Sequence, residues 1–290
     1  MREMRRKGVD DDLLRPDWLA VCRRSTEALR RMLGSHPTTD ERGEGTGIGA
    51  GGDTALLIDR RAEDAIFVEL DALHRQGHSF TAVSEERGEV AFGDSANAVT
   101  VVIDPIDGSL NAKRLMPTFA LSIAVASGDT MEDIEFGYVY DFGTSEEWVA
   151  YRREGAALNG VPLDPEEPDR GLELVGFESA RPDWIAPVAA TLGRAAYRIR
   201  IVGSIAVTLC FVAAGRLDGM LTTNTCRSVD AAAAQLIVRE AGAFVTVLGH
   251  GGLEAPLDLG ARFRIAAART PEGLETLVRA LTDSGPPPDD

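Results

Sequence analysis

The sequence is poor in cysteine, in positive charge and in long apolar runs, and each shortage excludes something. Cys22, Cys210 and Cys226 are its three cysteines, an odd number without C-x-x-C spacing. They argue against a disulfide framework and for a reducing, cytoplasmic compartment. Lys and Arg together number 30 against 46 Asp and Glu, a net charge of −16. Such a field repels polyanions, so nucleic acid is not an expected partner, while a cation-dependent site fits its sign. The opening "MREMRRKGVDDD" has basic residues but no apolar core behind them, and no signal peptide is expected. The longest apolar run, "IVGSIAVTLCFVAAG" from Ile201 to Gly215, is too short for a membrane span and reads as a buried helix. There is no internal repeat. What remains is ample for a core: 44% of the 290 residues are apolar.

The patterning is that of an α/β protein. Residues 13–33 carry helical spacing and stop at Gly34. A glycine-rich loop, "GEGTGIGAGG", leads to "TALLID", read as a strand, and to the helix "RRAEDAIFVELDALHRQG". "SFTAVSEE", "AVTVVID", "FALSIAVAS" and "IEFGYVYDF" read as strands, and "EEWVAYRREGAALNG" as another running to a turn at Asn159-Gly160. The proline-bearing connector 164–171 is the expected internal boundary. Beyond it "LELVGF", "YRIRIVG", "LDGML" and "AFVTVL" alternate with the helices "SIAVTLCFVAAG" and "SVDAAAAQLIVREAG". The expectation is one domain over 1–290 with sub-layers at roughly 10–163 and 172–272, and a disordered tail over 284–290.

The stretch "VVIDPIDGSLNAK", residues 101–113, concentrates unusual chemistry. A residue before proline is biased to extended geometry, so Asp104 is expected to end its strand at the carboxyl edge, where open α/β sheets place ligands. Pro105 lacks an N–H and Gly108 permits positive φ, so the turn gathers Asp104, Asp107 and the Ile106 carbonyl. Three hard oxygen donors suit Mg²⁺. The N–H groups of Gly108, Ser109 and Leu110 could receive a phosphate as a helix begins. A strand–turn–helix corner in which Asp107 only caps the helix explains the same residues.

Two further acidic features bear on that choice. Glu85 and Glu86 end the preceding strand, and strand adjacency would put Glu85 beside Asp104; such a cluster repels itself unless a cation neutralises it. Asp230 lies in the first turn of "SVDAAAAQLIVREAG", a position equally explained by capping and the helix dipole.

"SEE", then "DPIDGS", then "VD" with an Ala-rich turn and "REAG", resemble in kind and order the signature of the inositol monophosphatase family, and "EGAALNG" and "GSIAVTLCFVAAGRLDG" resemble further family segments. The likeness runs roughly from Asp53 to the strand after Glu240, and the loop before "LLIDRRAEDAI" with the "CRSVD" motif is similar to the archaeal-type branch, whose members act on inositol monophosphate and fructose 1,6-bisphosphate. The resemblance implies an alternating α/β/α/β/α layered sandwich of the sugar-phosphatase type, a homodimer, and a Mg²⁺-dependent phosphomonoesterase using metal-activated water. It further implies that Glu85, Asp104 and the Ile106 carbonyl hold one Mg²⁺, that Asp104, Asp107 and Asp230 hold a second, and that a weaker third uses Glu85. By the same likeness Asp107, Gly108, Ser109 and Ser204 meet substrate, Ser109 and Glu85 orient the attacking water, and Asp59 supports the Ser109 hydroxyl.

One departure concerns the substrate. Inositol-specific members carry a glutamate seven positions before the last metal aspartate, where this chain has Thr223. Lys113, Arg114, Arg200 and Arg227 flank the expected site and could grip a second phosphate, or could balance nearby acids at the surface. The expected substrate is inositol 1-phosphate, with fructose 1,6-bisphosphate also accepted. A dedicated fructose-1,6-bisphosphatase, a nucleotide 3′-phosphatase and a silent sugar-phosphate binder are the alternatives. "GIGAGG" fits G-x-G-x-x-G but precedes a strand, the wrong context for a dinucleotide site. His74 and His78 have zinc-compatible spacing yet straddle a helix end at Gly77.

Overall fold

The structure, a computed structural model, describes residues 16–43, 45–48, 50, 54–93, 99–164, 171–179 and 181–286. The first half holds α1 (Trp18–Gly34), α2 (Thr39–Arg42), β1 (Gly45–Ile48), β2 (Thr54–Leu56), α3 (Leu57–Arg75), β3 (Phe80–Ser84), β4 (Gly88–Phe92), β5 (Thr100–Asp107), α4 (Ser109–Lys113), β6 (Ala120–Ala126), β7 (Ile134–Asp141), β8 (Glu146–Tyr151), β9 (Gly155–Leu158) and β10 (Val161–Pro162). The second holds β11 (Leu172–Glu178), α5 (Pro182–Leu192), β12 (Ala196–Arg200), α6 (Ile205–Ala213), β13 (Gly219–Thr222), α7 (Ser228–Glu240), β14 (Phe244–Leu248), β15 (Arg264–Ala268) and α8 (Pro271–Asp283).

These elements form five layers. α1 and α3 cover one face of an eight-stranded sheet of order β10-β9-β8-β7-β6-β5-β3-β4. α6 and α7 lie between its other face and a five-stranded sheet of order β12-β11-β13-β15-β14, and α5 and α8 close the far side. The expected α/β/α/β/α sandwich is therefore the observed one. Burial follows from it: β6 and β7, covered on both faces, are buried at every position. α1 starts on Asp17, whose carboxylate accepts the Ala20 N–H at 2.9 Å, and turns Trp18, Val21, Cys22, Leu29 and Leu33 inward. The small residues of α7 serve close approach. A Cβ on Gly137 of β7 would come within 2.6 Å of the Ala233 carbonyl oxygen.

Several local expectations are corrected. Part of the glycine-rich stretch pairs as β1 with β2, and "TALLID" stops being strand at Leu57, where α3 begins, so Asp59 sits in a first helical turn with its carboxylate accepting the Leu56 N–H. "EEWVAYRREGAALNG" is a hairpin, β8 and β9, rather than one strand. β4, α5, β15 and α8 were not anticipated. Residues 13–15, most of the connector at 165–170 and residues 287–290 of the tail lie outside the described residues; within the tail, Ser284 caps α8 and the Gly285 carbonyl accepts from Arg264 at 3.0 Å. No described helix is long and apolar enough to cross a membrane.

For the site, two details of strand pairing matter. β3 runs parallel to β5 with Ser84 opposite Ile103, so Glu85 follows level with Asp104. β5 does not end at Asp104 as expected: pairing with β6 is interrupted between Asp104 and Asp107 and resumes at Asp107 opposite Ala120. The extra residue bulges the strand, which lets both aspartates leave one edge.

Candidate active site

A cleft of about 670 Å³ opens where β3, β5 and α4 meet the amino ends of α6 and α7. Glu85, Asp104, Ile106, Asp107, Gly108, Ser109, Arg227 and Asp230 all line it. Four carboxylates from three separate parts of the chain thus share one concavity.

Each is held by its own local geometry. The Asp104 carboxylate accepts the Ile106 N–H at 3.0 Å across the proline turn. Gly108, at φ 92°, turns the chain into α4, and the Ser109 hydroxyl donates to the Ile106 carbonyl at 2.9 Å. A Cβ on Gly108 would meet the Gly203 carbonyl oxygen at 2.8 Å, so the left-handed turn and the close crossing both require glycine. Asp107 accepts the N–H groups of Ile205 and Ala206 at 3.3 and 2.7 Å together with the Ser204 hydroxyl. Ser204 is itself the N-cap of α6, accepting the Val207 N–H at 3.2 Å. Asp230 accepts the Arg227 N–H at 2.7 Å at the start of α7, so the capping reading is realised without removing the residue from the cleft.

Crowding these acids has an electrostatic consequence. Burial, reinforced by Glu85, Asp107 and Asp230, holds the Asp104 carboxyl well above the usual range. Asp107 and Asp230 are also raised by burial, against the hydrogen bonds they accept. Asp59, buried behind the cleft, is pushed up to about 7 by burial and by Glu85, with the Leu56 N–H pulling the other way; the Ser109 hydroxyl expected to bond it donates instead to the Ile106 carbonyl. The Arg227 guanidinium meets this cluster, donating to Glu85 at 2.6 Å.

The donor set fits a hard divalent ion: carboxylates and one carbonyl, all oxygen, in a site whose own charges repel. As the side chains stand, among the described residues no three His, Cys, Asp or Glu groups converge into a ready-made ligand cluster. Glu85 is engaged by Arg227 and Asp107 by Ser204, so some ligands would have to turn toward an ion.

The remaining expected residues divide. Ser204 is buried against Asp107 rather than open to the cleft. Lys113 and Arg200 are not among the lining residues. The Lys113 side chain lies over Gly43, where a Cβ would come within 2.9 Å of its Cε, and the Arg200 guanidinium donates to the Ile199 carbonyl at 2.9 Å. Thr223 is buried, its hydroxyl donating to the Ser179 carbonyl at 2.6 Å. In place of these, Ser179, Trp184, Asn224, Thr225 and Arg262 form the outer wall. Sequence reasoning missed Trp184 because it missed α5, although Pro182 and Asp183 ahead of an apolar run are a helix-start signal, and it missed the other four because they sit on connections between elements. Cys226 also lines the cleft, but burial pushes its thiol well above the usual value, which suits a core residue and not a nucleophile.

The profile of the inositol monophosphatase family matches residues 19–285. The chain belongs to the inositol monophosphatase family. A fructose-1,6-bisphosphatase/inositol-1-monophosphatase of Thermococcus kodakarensis is 32% identical over 92% of this chain and 98% of its own length. An inositol-1-monophosphatase of Mesorhizobium japonicum is 34% identical over 69% of this chain and 74% of its own. A crystal structure of an inositol monophosphatase-fructose 1,6 bisphosphatase superposes with a TM-score of 0.78 at 27% identity, covering 91% of this chain and 99% of the other. Family membership makes the chain a phosphoric monoester hydrolase, of a family that is in general Mg²⁺-dependent.

Proposed function

We propose that the chain hydrolyses inositol 1-phosphate and fructose 1,6-bisphosphate with Mg²⁺, two or three ions per site. The observation that carries this reading is the gathering of Glu85, Asp104, Asp107 and Asp230 with the Ile106 carbonyl around one cleft. Glu85, Asp104 and Ile106 would hold one ion, and Asp104, Asp107 and Asp230 another. When bound, Mg²⁺ supplies Lewis acidity: it activates water at neutral pH and offsets charge on the leaving oxygen. The residues of the chain do the rest. Gly108 and Ser109 seat the phosphoryl group at the turn after β5. The Ser109 hydroxyl and Glu85 would orient the water for in-line attack, and Asp59 behind them would support that hydroxyl once it turns from the Ile106 carbonyl, taking up the water's proton through it. The α6 N–H groups and Ser204 fix Asp107, so the site does not reorganise as charge develops.

The buried, internally bonded Thr223 favours acceptance of both esters over strict inositol recognition, because no side chain at that position reaches a ring hydroxyl. We propose a homodimer as well; exposed Leu115, Met116, Tyr197 and Ile201 supply apolar surface for it. Light scattering after size exclusion reads that directly. The deciding assay for the activity is phosphate release from a panel of esters with Mg²⁺ and with EDTA. Mg²⁺-dependent turnover of both esters is expected, together with its collapse in Asp107→Asn. Robust turnover in EDTA would overturn the reading.

A further inference from the structure

We propose that Trp184 recognises the carbon ring of the substrate, its indole packing on the ring and its N–H donating to a ring hydroxyl. The proposal rests on the phosphomonoesterase reading and names the specificity determinant of the same site.

Trp184 lies on α5 and borders the cleft together with Asp107, Ser109 and Asp230. Its Nε1 is buried and has no hydrogen-bond partner among the described residues. An indole N–H can only donate, and tryptophan normally finds an acceptor for it when it is shielded from water. Trp184 is thus a residue of the cleft wall whose donor no described residue satisfies. The indole is also held in place from outside: the Arg181 guanidinium lies over the ring, 4.5 Å from its centroid, and bonds Asp183 at 3.1 Å. A preset ring loses little freedom when substrate arrives.

The position from which a side chain would otherwise read ring hydroxyls is silent, since Thr223 is buried and turned onto the Ser179 carbonyl. Recognition of the organic part then falls to the outer wall, where Trp184 is the single aromatic group among the described lining residues. The face of a cyclitol or furanose presents C–H bonds flanked by hydroxyls. That surface matches an indole, apolar across its face and polar at one edge.

The test separates ring recognition from chemistry by comparing inositol 1-phosphate and fructose 1,6-bisphosphate with the acyclic ester glycerol 2-phosphate. Trp184→Ala should lower kcat/KM for both ring esters by about tenfold or more, mainly through KM, and leave glycerol 2-phosphate within about threefold of wild type. Trp184→Phe keeps a ring but no N–H, and should fall between the two on the ring esters alone. Equal losses on all three esters, or no loss on the ring esters in either variant, would overturn the proposal. Mg²⁺-dependent glycerol 2-phosphate turnover at the wild-type rate would then still support the hydrolase reading, whereas absence of turnover in the wild type would count against that reading instead.

Discussion

The Arg227 guanidinium donates to the Glu85 carboxylate at 2.6 Å across 142 residues of chain, joining the end of β3 to the start of α7. The two side chains are only 11% and 22% exposed. Glu85 adds repulsion at Asp59, Asp104 and Asp230, so Arg227 offsets that repulsion while the cleft lacks a metal. Arg227→Gln is predicted to destabilise the EDTA-treated protein by roughly 1–2 kcal/mol and to lower the Mg²⁺ concentration for half-maximal activity. Thermal unfolding with and without Mg²⁺ checks it; a loss equal in both conditions would contradict the assignment.

Ser204 is predicted to matter through Asp107. Ser204→Ala removes a donor to a buried carboxylate and the cap of α6, a loss of about 1–3 kcal/mol in urea unfolding. With that donor gone, Asp107 ionises at higher pH, so the acid limb of the kcat/KM profile should move up. Ser204→Thr restores a hydroxyl and should recover both readouts.

Gly137→Ala probes the contact between the first sheet and the central helices. The new Cβ would stand 2.6 Å from the Ala233 carbonyl oxygen, and backbone cannot swing aside as a side chain can. A loss of roughly 1–3 kcal/mol is expected from overpacking. If α7 shifts to make room, Asp230 shifts with it, and kcat should fall alongside stability.

Glu178 is predicted to make stability depend on pH. Its carboxyl is pushed up to about 7 by burial, despite accepting from the Thr208 hydroxyl and the Val202 and Gly203 N–H groups. Between the ordinary value of 4.5 and about 7 the folded chain keeps a proton that the unfolded chain has released. This group therefore favours the fold most at low pH, and its contribution falls by roughly 3 kcal/mol as pH rises through that window, then levels off. Urea unfolding in EDTA at several pH values should show a shallower slope for Glu178→Gln; an unchanged slope would remove Glu178 as its source.

Much of the site was legible because its parts are local. The Asp-Pro-x-Asp-Gly turn and the first-turn place of Asp230 follow from spacing; the pairing that sets Glu85 level with Asp104 was expected from strand order and is present although β4 intervenes. What was not legible depends on tertiary contacts. Lys113 is one helical turn beyond Ser109, but α2 packs on α4, with Arg42 donating to the Ala112 carbonyl at 2.9 Å, and the long side chain follows that surface to Gly43. β15, "RIAAA", has little intrinsic preference for a strand and becomes one only between β13 and β14. α5 carries Pro187 within it, which reads as an interruption.

Glu85, Asp104 and Asp107 rise from the eight-stranded sheet, while Asp230 and the wall residues Trp184, Asn224, Thr225 and Arg262 come from connections of the five-stranded one. Chemistry and appetite are therefore carried on different side chains, and they share a scaffold only where Asp230 follows Asn224 and Thr225 into α7. Variation confined to the outer wall can redirect the enzyme from one ester to another while the acids that drive hydrolysis stay untouched, which makes those four positions the natural library for changing what the enzyme consumes.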